Sequence, residues 1–147
     1  MFTSFFARDE PVDDNSGRSQ ADQYQEGLQP YWSAWTGAGA HVFVLGDPPL
    51  NGDVRQSACV SLNPHNPAIC AVDRVKAQPP DPLSLAAQAS SDPGISLIDL
   101  TDYFCDQQKC YGVVGHVAVY YDPNHLNLEF SSSLEPMIAA AIGVPDQ

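Results

Sequence analysis

Basic residues are scarce in this sequence, which has 6 Lys and Arg against 18 Asp and Glu and a formal net charge of −12 over 147 residues. Because Lys and Arg supply the affinity for phosphate groups, this balance argues against a nucleic-acid partner and against an anionic membrane surface. No apolar run approaches the roughly 20 residues that a membrane-spanning helix needs. The short apolar start is interrupted at Arg8, Asp9 and Glu10, too early for a signal peptide. We therefore expect no export signal and no membrane anchor in these residues.

Apolar residues are frequent enough for a packed core, at 44% of the chain, so general disorder is not expected. Residues 1–22 are polar and acidic and lack periodicity, which predicts a loose leader. The remaining residues, 23–147, are expected to form the folded domain.

Within residues 23–147, short apolar runs alternate with helix-like segments. Strands are predicted at residues 40–46, 95–100 and 113–121. Helices are predicted at residues 23–37, 83–89 and 126–142, the last interrupted at Pro136, and Thr101 or Asp102 is a predicted helix cap. Apolar strands that alternate with helices predict an α/β fold with a parallel sheet. Three strands are fewer than such a sheet usually contains. Residues 47–82 are rich in Pro, Asn and Gly and read as a long loop.

The four cysteines, Cys59, Cys70, Cys105 and Cys110, form two close pairs along the chain. An even number of paired cysteines is typical of a disulfide framework and of an oxidising compartment, which conflicts with the missing export signal. Three connectivities are possible, and the simplest joins each cysteine to its near neighbour. A zinc site that adds His116 is the alternative, but the spacing lacks the usual two-residue knuckle.

Residues 120–126, Tyr-Tyr-Asp-Pro-Asn-His-Leu, contain the pattern most typical of catalysis. Asp122 comes three residues before His125, in a turn that follows an apolar segment. The carboxylate can accept the Nδ1 proton of the imidazole and leave Nε2 free as a general base. The simpler alternative is a common Asp-Pro-Asn turn in which Asp122 or Asn124 caps the last helix.

Five segments occur in a fixed order along the chain: VFVLGDPP at 42–49, DVRQSACVSL at 53–62, LIDLTDYFCDQQKC at 97–110, VAVYYDPNHLN at 117–127 and SSLEPMIAAAI at 132–142. Together they resemble the SGNH domain that is fused behind membrane-embedded acyltransferases of the acyltransferase-3 type. The resemblance covers roughly residues 26 to 142.

The resemblance implies an α/β fold with a three-layer, flavodoxin-like parallel sheet that is incomplete on its N-terminal side. Residues 23–147 would then be a partial SGNH-like domain. It also implies a location outside the cytoplasm, in the periplasm or at the cell surface, beside a membrane-embedded acyltransferase domain. It indicates neither a cofactor nor a metal. The residues to which it gives a role are the disulfide pairs Cys59–Cys70 and Cys105–Cys110 and the catalytic pair Asp122 and His125.

The nucleophile of the family lies in a Gly-Asp-Ser turn after the first strand, and this sequence contains no Gly-Asp-Ser. Gly46 and Asp47 do follow a predicted strand, but the next residue is Pro48, which has no hydroxyl. We therefore expect the C-terminal portion of an SGNH-type O-acyltransferase or esterase domain that acts on cell-surface glycans and is inactive alone. An acyl donor and a glycan acceptor would be the substrates of a complete relative.

Two alternatives to this interpretation remain open. A free-standing SGNH-like or GDSL-like esterase would use an unrecognised serine, such as Ser4, Ser16 or Ser19 in the leader. A non-catalytic, disulfide-stapled binding module would hold a glycan without turnover.

Overall fold

The computed structural model describes residues 2–3, 15–50 and 52–143. The chain divides into a sheet unit, made of Met1–Asp47 and Pro80–Asp99, and a disulfide unit, made of Pro48–Pro79 and Leu100–Gln147. Residues 4–14, which make up much of the expected leader and include Ser4, lie outside the described residues. None of the described helices combines the length and the apolar character that a membrane crossing requires.

The strands of the described residues are all short. In chain order they are β1 Phe2–Thr3, β2 Val42–Leu45, β3 Val72–Asp73, β4 Ile95–Ile98, β5 Lys109–Cys110, β6 Val113–Val114 and β7 Val117–Ala118. The α-helices are α1 Gln20–Gly37, α2 Ser57–Leu62, α3 Arg74–Ala77, α4 Pro82–Gln88, α5 Leu128–Ser133 and α6 Glu135–Ala141. Single 3₁₀ turns span Gly52–Arg55, Pro67–Cys70 and Thr101–Tyr103.

The sheet unit contains a parallel sheet in the order β1-β2-β4. β2 pairs with β4 from Val42 opposite Ile95 to Leu45 opposite Ile98, and β1 pairs with the other edge of β2. α1 separates β1 from β2 in the chain, and α4 precedes β4. Parallel neighbours need such long connections, so the predicted α/β class with a parallel sheet is confirmed.

The core of the sheet unit lies between its two helices and one face of the sheet. Val42 and Val44 are completely buried, whereas Phe43 and Leu45 are half-buried, because alternate residues of a strand face opposite sides. The buried cluster consists of Trp32 from α1, Val42 and Val44 from β2, and Leu83, Ala86 and Ala87 from α4.

Capping residues set where the two helices of the sheet unit begin. α1 begins at Gln20, earlier than the predicted residue 23, because the Ser19 hydroxyl oxygen accepts a hydrogen bond of 3.1 Å from the backbone N–H of Asp22. α4 begins at Pro82, directly after Asp81, whose carboxylate accepts bonds from two backbone N–H groups of the first turn. Proline is favoured at this first position because the N–H that it lacks would have no partner within the helix.

Two disulfides cross-link the disulfide unit. Cys59 of α2 is bonded to Cys70, and Cys105 is bonded to Cys110 of β5. These are the local pairings favoured in the sequence, and they leave no cysteine thiolate for the alternative zinc site. The segment read as a long loop, residues 47–82, instead contains α2, β3, α3 and two 3₁₀ turns among its described residues.

The predicted sheet strand at residues 113–121 is wrong. Gly115 and His116 have φ values of +57° and +70°, and the chain reverses there. β6 and β7 therefore form an antiparallel hairpin, with Val114 opposite Val117, instead of a strand of the parallel sheet. Two consecutive residues with positive φ are typical of a tight two-residue hairpin turn. The third parallel strand of the described sheet is β1, within the expected leader.

The helix cap predicted at Thr101 or Asp102 is also wrong. The segment Thr101–Tyr103 is a single 3₁₀ turn without a side-chain cap, and the Asp102 carboxylate instead accepts a hydrogen bond of 2.7 Å from Arg74. The predicted interruption of the terminal helix is confirmed, because α5 ends before Pro136, which lies in the first turn of α6.

Trp32 provides a direct test of the sheet-unit core, since its side chain is only 1% exposed. We expect Trp32→Ala to lower the free energy of unfolding by about 3–5 kcal/mol, the usual cost of removing a buried aromatic side chain. The neighbouring Tyr31 is 66% exposed and serves as the control. Tyr31→Ala should change the stability by no more than about 0.5 kcal/mol in urea unfolding. Equal losses for the two variants would contradict this description of the core.

Candidate active site

The Asp122–His125 loop of the disulfide unit is closed at its base by backbone hydrogen bonds. Tyr120 and Leu126 form an antiparallel bridge, and the N–H of Tyr121 donates to the carbonyl oxygen of His125 over 2.9 Å. One step further from the tip, the N–H of Asn127 donates to Val119 over 2.8 Å. The loop is therefore a short, closed excursion of the backbone.

The Asp122 carboxylate organises the inside of this loop. Its Oδ1 accepts hydrogen bonds from the backbone N–H of Asn124, at 2.7 Å, and from that of His125, at 2.8 Å. The Nδ1 atom of His125 lies 2.9 Å from Oδ1 and 2.8 Å from Oδ2 of the same carboxylate. Pro123 has a fixed φ, which further limits the conformations of the turn.

This geometry determines which nitrogen of the His125 ring can act as a base. Since a carboxylate can only accept hydrogen bonds, the ring nitrogen that faces it carries a proton. In the neutral ring Nε2 then holds the free lone pair. The His125 side chain is 73% exposed and that of Asp122 is 37% exposed. Among the described residues, no hydrogen bond joins Nε2 to a serine hydroxyl.

The hydrogen bonds in the loop also hold Asp122 in its charged form. The backbone N–H of Asn124 is the largest influence that lowers the pKa of this carboxyl below its ordinary value of 3.8, and the side-chain bond to His125 comes next. Each of these bonds is made to the ionised carboxylate and so favours it.

The simpler alternative, in which Asp122 or Asn124 caps the last helix, is not what the structure contains. α5 is capped by Asn127, whose side-chain oxygen accepts a hydrogen bond of 2.9 Å from the backbone N–H of Glu129. His125 lies two residues before this cap and is therefore outside α5. The carboxylate of Asp122 is thus directed to its own loop and to the imidazole ring.

Arg55 is a residue of this region that the sequence interpretation did not single out. Its Nη1 donates a hydrogen bond of 3.2 Å to the carbonyl oxygen of Pro123, inside the Asp122–His125 loop. Arg55 lies within the DVRQSACVSL segment that carried part of the family resemblance, but Pro123 is 68 positions further along the chain. A lone arginine in a loop-like segment gave no sign of this long-range contact.

The described leader serines, Ser16 and Ser19, belong to the sheet unit and form hydrogen bonds near the start of α1. Ser19 caps α1 and donates to Asp22, and Ser16 accepts hydrogen bonds from Arg18. Over the described ranges of the chain, no group of three or more His, Cys, Asp or Glu residues is arranged to hold a metal ion.

Comparison with known families identifies one matching family. The model of a family described as "SGNH domain (fused to AT3 domains)" matches residues 2–140. The chain belongs to this family. The match spans segments of both the sheet unit and the disulfide unit, including the Asp122–His125 loop. No match was found among curated proteins or among solved structures.

The lowered pKa of Asp122 leads to a pH prediction. A carboxyl whose pKa is lower in the folded state stabilises that state above the unfolded-state value, and this contribution is lost as the pH falls through the folded-state pKa. We therefore expect the Asp122 carboxyl carbon, followed by NMR, to titrate with a midpoint below 3.8.

The variant His125→Ala is the control for this titration. It removes the side-chain hydrogen bond but keeps both backbone donors, so the midpoint should rise only part of the way toward 3.8. A wild-type midpoint at or above 3.8 would show that the loop does not hold the carboxylate as described.

Proposed function

We propose that Asp122 and His125 form the general-base pair of an SGNH-type acyl-transfer site. The observation that supports this proposal most directly is the hydrogen bond of 2.8 Å between Nδ1 of His125 and Oδ2 of Asp122. The His125 side chain is 73% exposed, so its other nitrogen is accessible. An imidazole held at Nδ1 by a carboxylate and open at Nε2 is the base half of a hydrolytic triad. The serine is supplied by a Gly-Asp-Ser turn that is not among these 147 residues.

In the proposed reaction, Nε2 of His125 takes the proton of the serine hydroxyl as the serine oxygen bonds to the carbonyl carbon of the acyl donor. The Asp122 carboxylate stabilises the resulting imidazolium at Nδ1. The imidazolium then returns the proton to the leaving group, and an acyl-serine ester remains. An acceptor hydroxyl attacks this ester and gives its proton to Nε2. The acyl group leaves on the acceptor, and the serine recovers its proton from His125.

A sugar hydroxyl is the acceptor that we propose, as part of a cell-surface glycan. Tyr121, directly before Asp122, is 75% exposed, and Leu128, just after the loop, is 82% exposed. An exposed tyrosine offers both an apolar ring face and a hydroxyl, which suits a sugar ring with its C–H face and hydroxyl groups. These two side chains support a glycan at this end of the unit.

The acyl donor, in this proposal, is delivered by a membrane-embedded acyltransferase domain. The description of the matched family names a fusion to AT3 domains, which supports such a partner. The disulfides Cys59–Cys70 and Cys105–Cys110 support an extracytoplasmic location, because disulfides persist in oxidising compartments.

The 147-residue chain alone should show no His125-dependent ester hydrolysis. With p-nitrophenyl acetate as substrate, we expect the wild type and His125→Ala to agree within about twofold, because a base without a nucleophile retains little covalent catalysis. Clear turnover that His125→Ala abolishes would favour the free-standing esterase.

Complementation tests whether Asp122 and His125 act as the general-base pair. Addition of a segment from an intact family member, with its first strand and Gly-Asp-Ser turn, should restore hydrolysis. His125→Ala should then lower the rate by at least about 10³-fold, because the triad acts as a unit. Restored activity that survives His125→Ala would contradict the proposal.

A further inference from the structure

Arg55 is a buried cation whose hydrogen bonds go to three main-chain carbonyl groups. The residue is only 7% exposed. Its Nε donates to the carbonyl oxygen of Pro49 over 2.7 Å, Nη2 donates to Pro48 over 3.2 Å, and Nη1 donates to Pro123 over 3.2 Å. Within the described residues, no carboxylate lies within ion-pair distance of the guanidinium. Burial of a charge costs free energy unless the charge is well hydrogen-bonded, and the three bonds to carbonyl oxygens meet this requirement.

All three acceptors belong to prolines, which explains why a side chain is needed here. Proline has no backbone N–H, so the prolines of a segment cannot donate the backbone hydrogen bonds that would fix it to a neighbouring strand. Its carbonyl groups still accept, and arginine presents five donors in a fixed planar fork. Arg55 can therefore bridge the Pro48–Pro49 segment and the Asp122–His125 loop with one side chain.

Tyr120 contacts both the guanidinium of Arg55 and one of its three acceptors. The Cζ atom of Arg55 lies 5.4 Å from the centre of the Tyr120 ring, within the range of a cation–π contact. The Tyr120 hydroxyl donates to the same Pro49 carbonyl over 2.9 Å. Burial raises the pKa of this hydroxyl far above its ordinary value, with Arg55 acting in the opposite direction, so the hydroxyl remains a donor.

We infer that Arg55 is a positioning residue, which fixes the Asp122–His125 loop to the body of the disulfide unit and so holds the His125 base in place. The hydrogen bonds of Asp122 keep the loop in shape, but they are all internal to it. The hydrogen bond from Arg55 to Pro123 instead links the loop to a segment of the disulfide unit that is distant in the sequence. The role of Arg55 in placing a catalytic base rests on the proposed function, whereas its role in fixing the loop does not.

Backbone amide exchange in the full 147-residue chain, measured by NMR, tests the structural content. In Arg55→Met, the Tyr121 amide that closes the loop and the Asn124 and His125 amides should exchange at least about tenfold faster than in the wild type, because the loop opens more often. The Lys109 amide, which donates to Asp106, should change less. Arg55→Lys should give an intermediate result, since lysine keeps the charge but cannot span three acceptors.

Tyr120→Phe is the matched control. It removes the other donor to Pro49 and leaves the bond from Arg55 to Pro123, so it should lower the melting temperature without loosening the loop amides. If Arg55→Met changes loop and Lys109 amides equally, or Tyr120→Phe loosens the loop as much, Arg55 is only a general stabiliser and the inference fails.

If Arg55→Met does not fold, the wild-type protein provides a second test of the contact. The Nε–H proton of Arg55 should exchange with water at least about 100-fold more slowly than that of free arginine, because it is buried and bonded to Pro49. Free exchange of this proton would overturn the inference.

Kinetics of the enzyme restored by complementation separate this inference from the proposed function. Arg55→Met should lower kcat by about tenfold or more, with KM changed by less than about threefold, because a misplaced base affects the reaction step. Loss of the amide protection with unchanged kcat would refute the positioning role alone. Activity that is independent of His125 would refute the proposed function and leave the loop contact intact.

Discussion

The carboxylate of Asp122 is the group on which the candidate site depends. It accepts from two backbone N–H groups of its own turn and faces the ring nitrogen of His125. The backbone bonds hold the carboxylate independently of the imidazole, so the ring faces an acceptor that is charged and oriented. This pre-organisation decides which nitrogen of His125 carries the proton and which is free to act as a base. Removal of the carboxylate would eliminate both the backbone hydrogen bonds inside the loop and the acceptor that orients the His125 ring.

Among the side-chain contacts of the disulfide unit, those between residues close in the sequence could be predicted, and the contact of Arg55 with Pro123 could not. Asp122 and His125 are three residues apart with a proline between them, so few conformations of the turn keep them separate. The two disulfides close short loops for the same reason. Arg55 and Pro123 are 68 residues apart, and no periodicity or composition relates them. The contact between Asp122 and His125 could therefore be predicted from the sequence, whereas the contact of Arg55 with their loop could not.

The strands show a different limit of the sequence interpretation. The β2 and β4 strands were predicted correctly because each is a short apolar run that pairs as a parallel neighbour over its whole length. The apolar run at residues 113–121 has similar composition, but Gly115 and His116 take up positive φ and turn it into a hairpin. Apolar composition alone does not report such a reversal. β1, at Phe2–Thr3, was missed because a strand this short has no pattern to recognise.

The most direct test of this account is the tautomer of His125 in the full chain at pH 8, read from long-range ¹⁵N–¹H correlations of the imidazole ring. The account predicts that Nδ1 carries the proton and Nε2 is unprotonated, and that Asp122→Ala removes this preference. A ring protonated mainly at Nε2, or one that Asp122→Ala leaves unchanged, would contradict the assignment of Asp122 and His125 as a general-base pair.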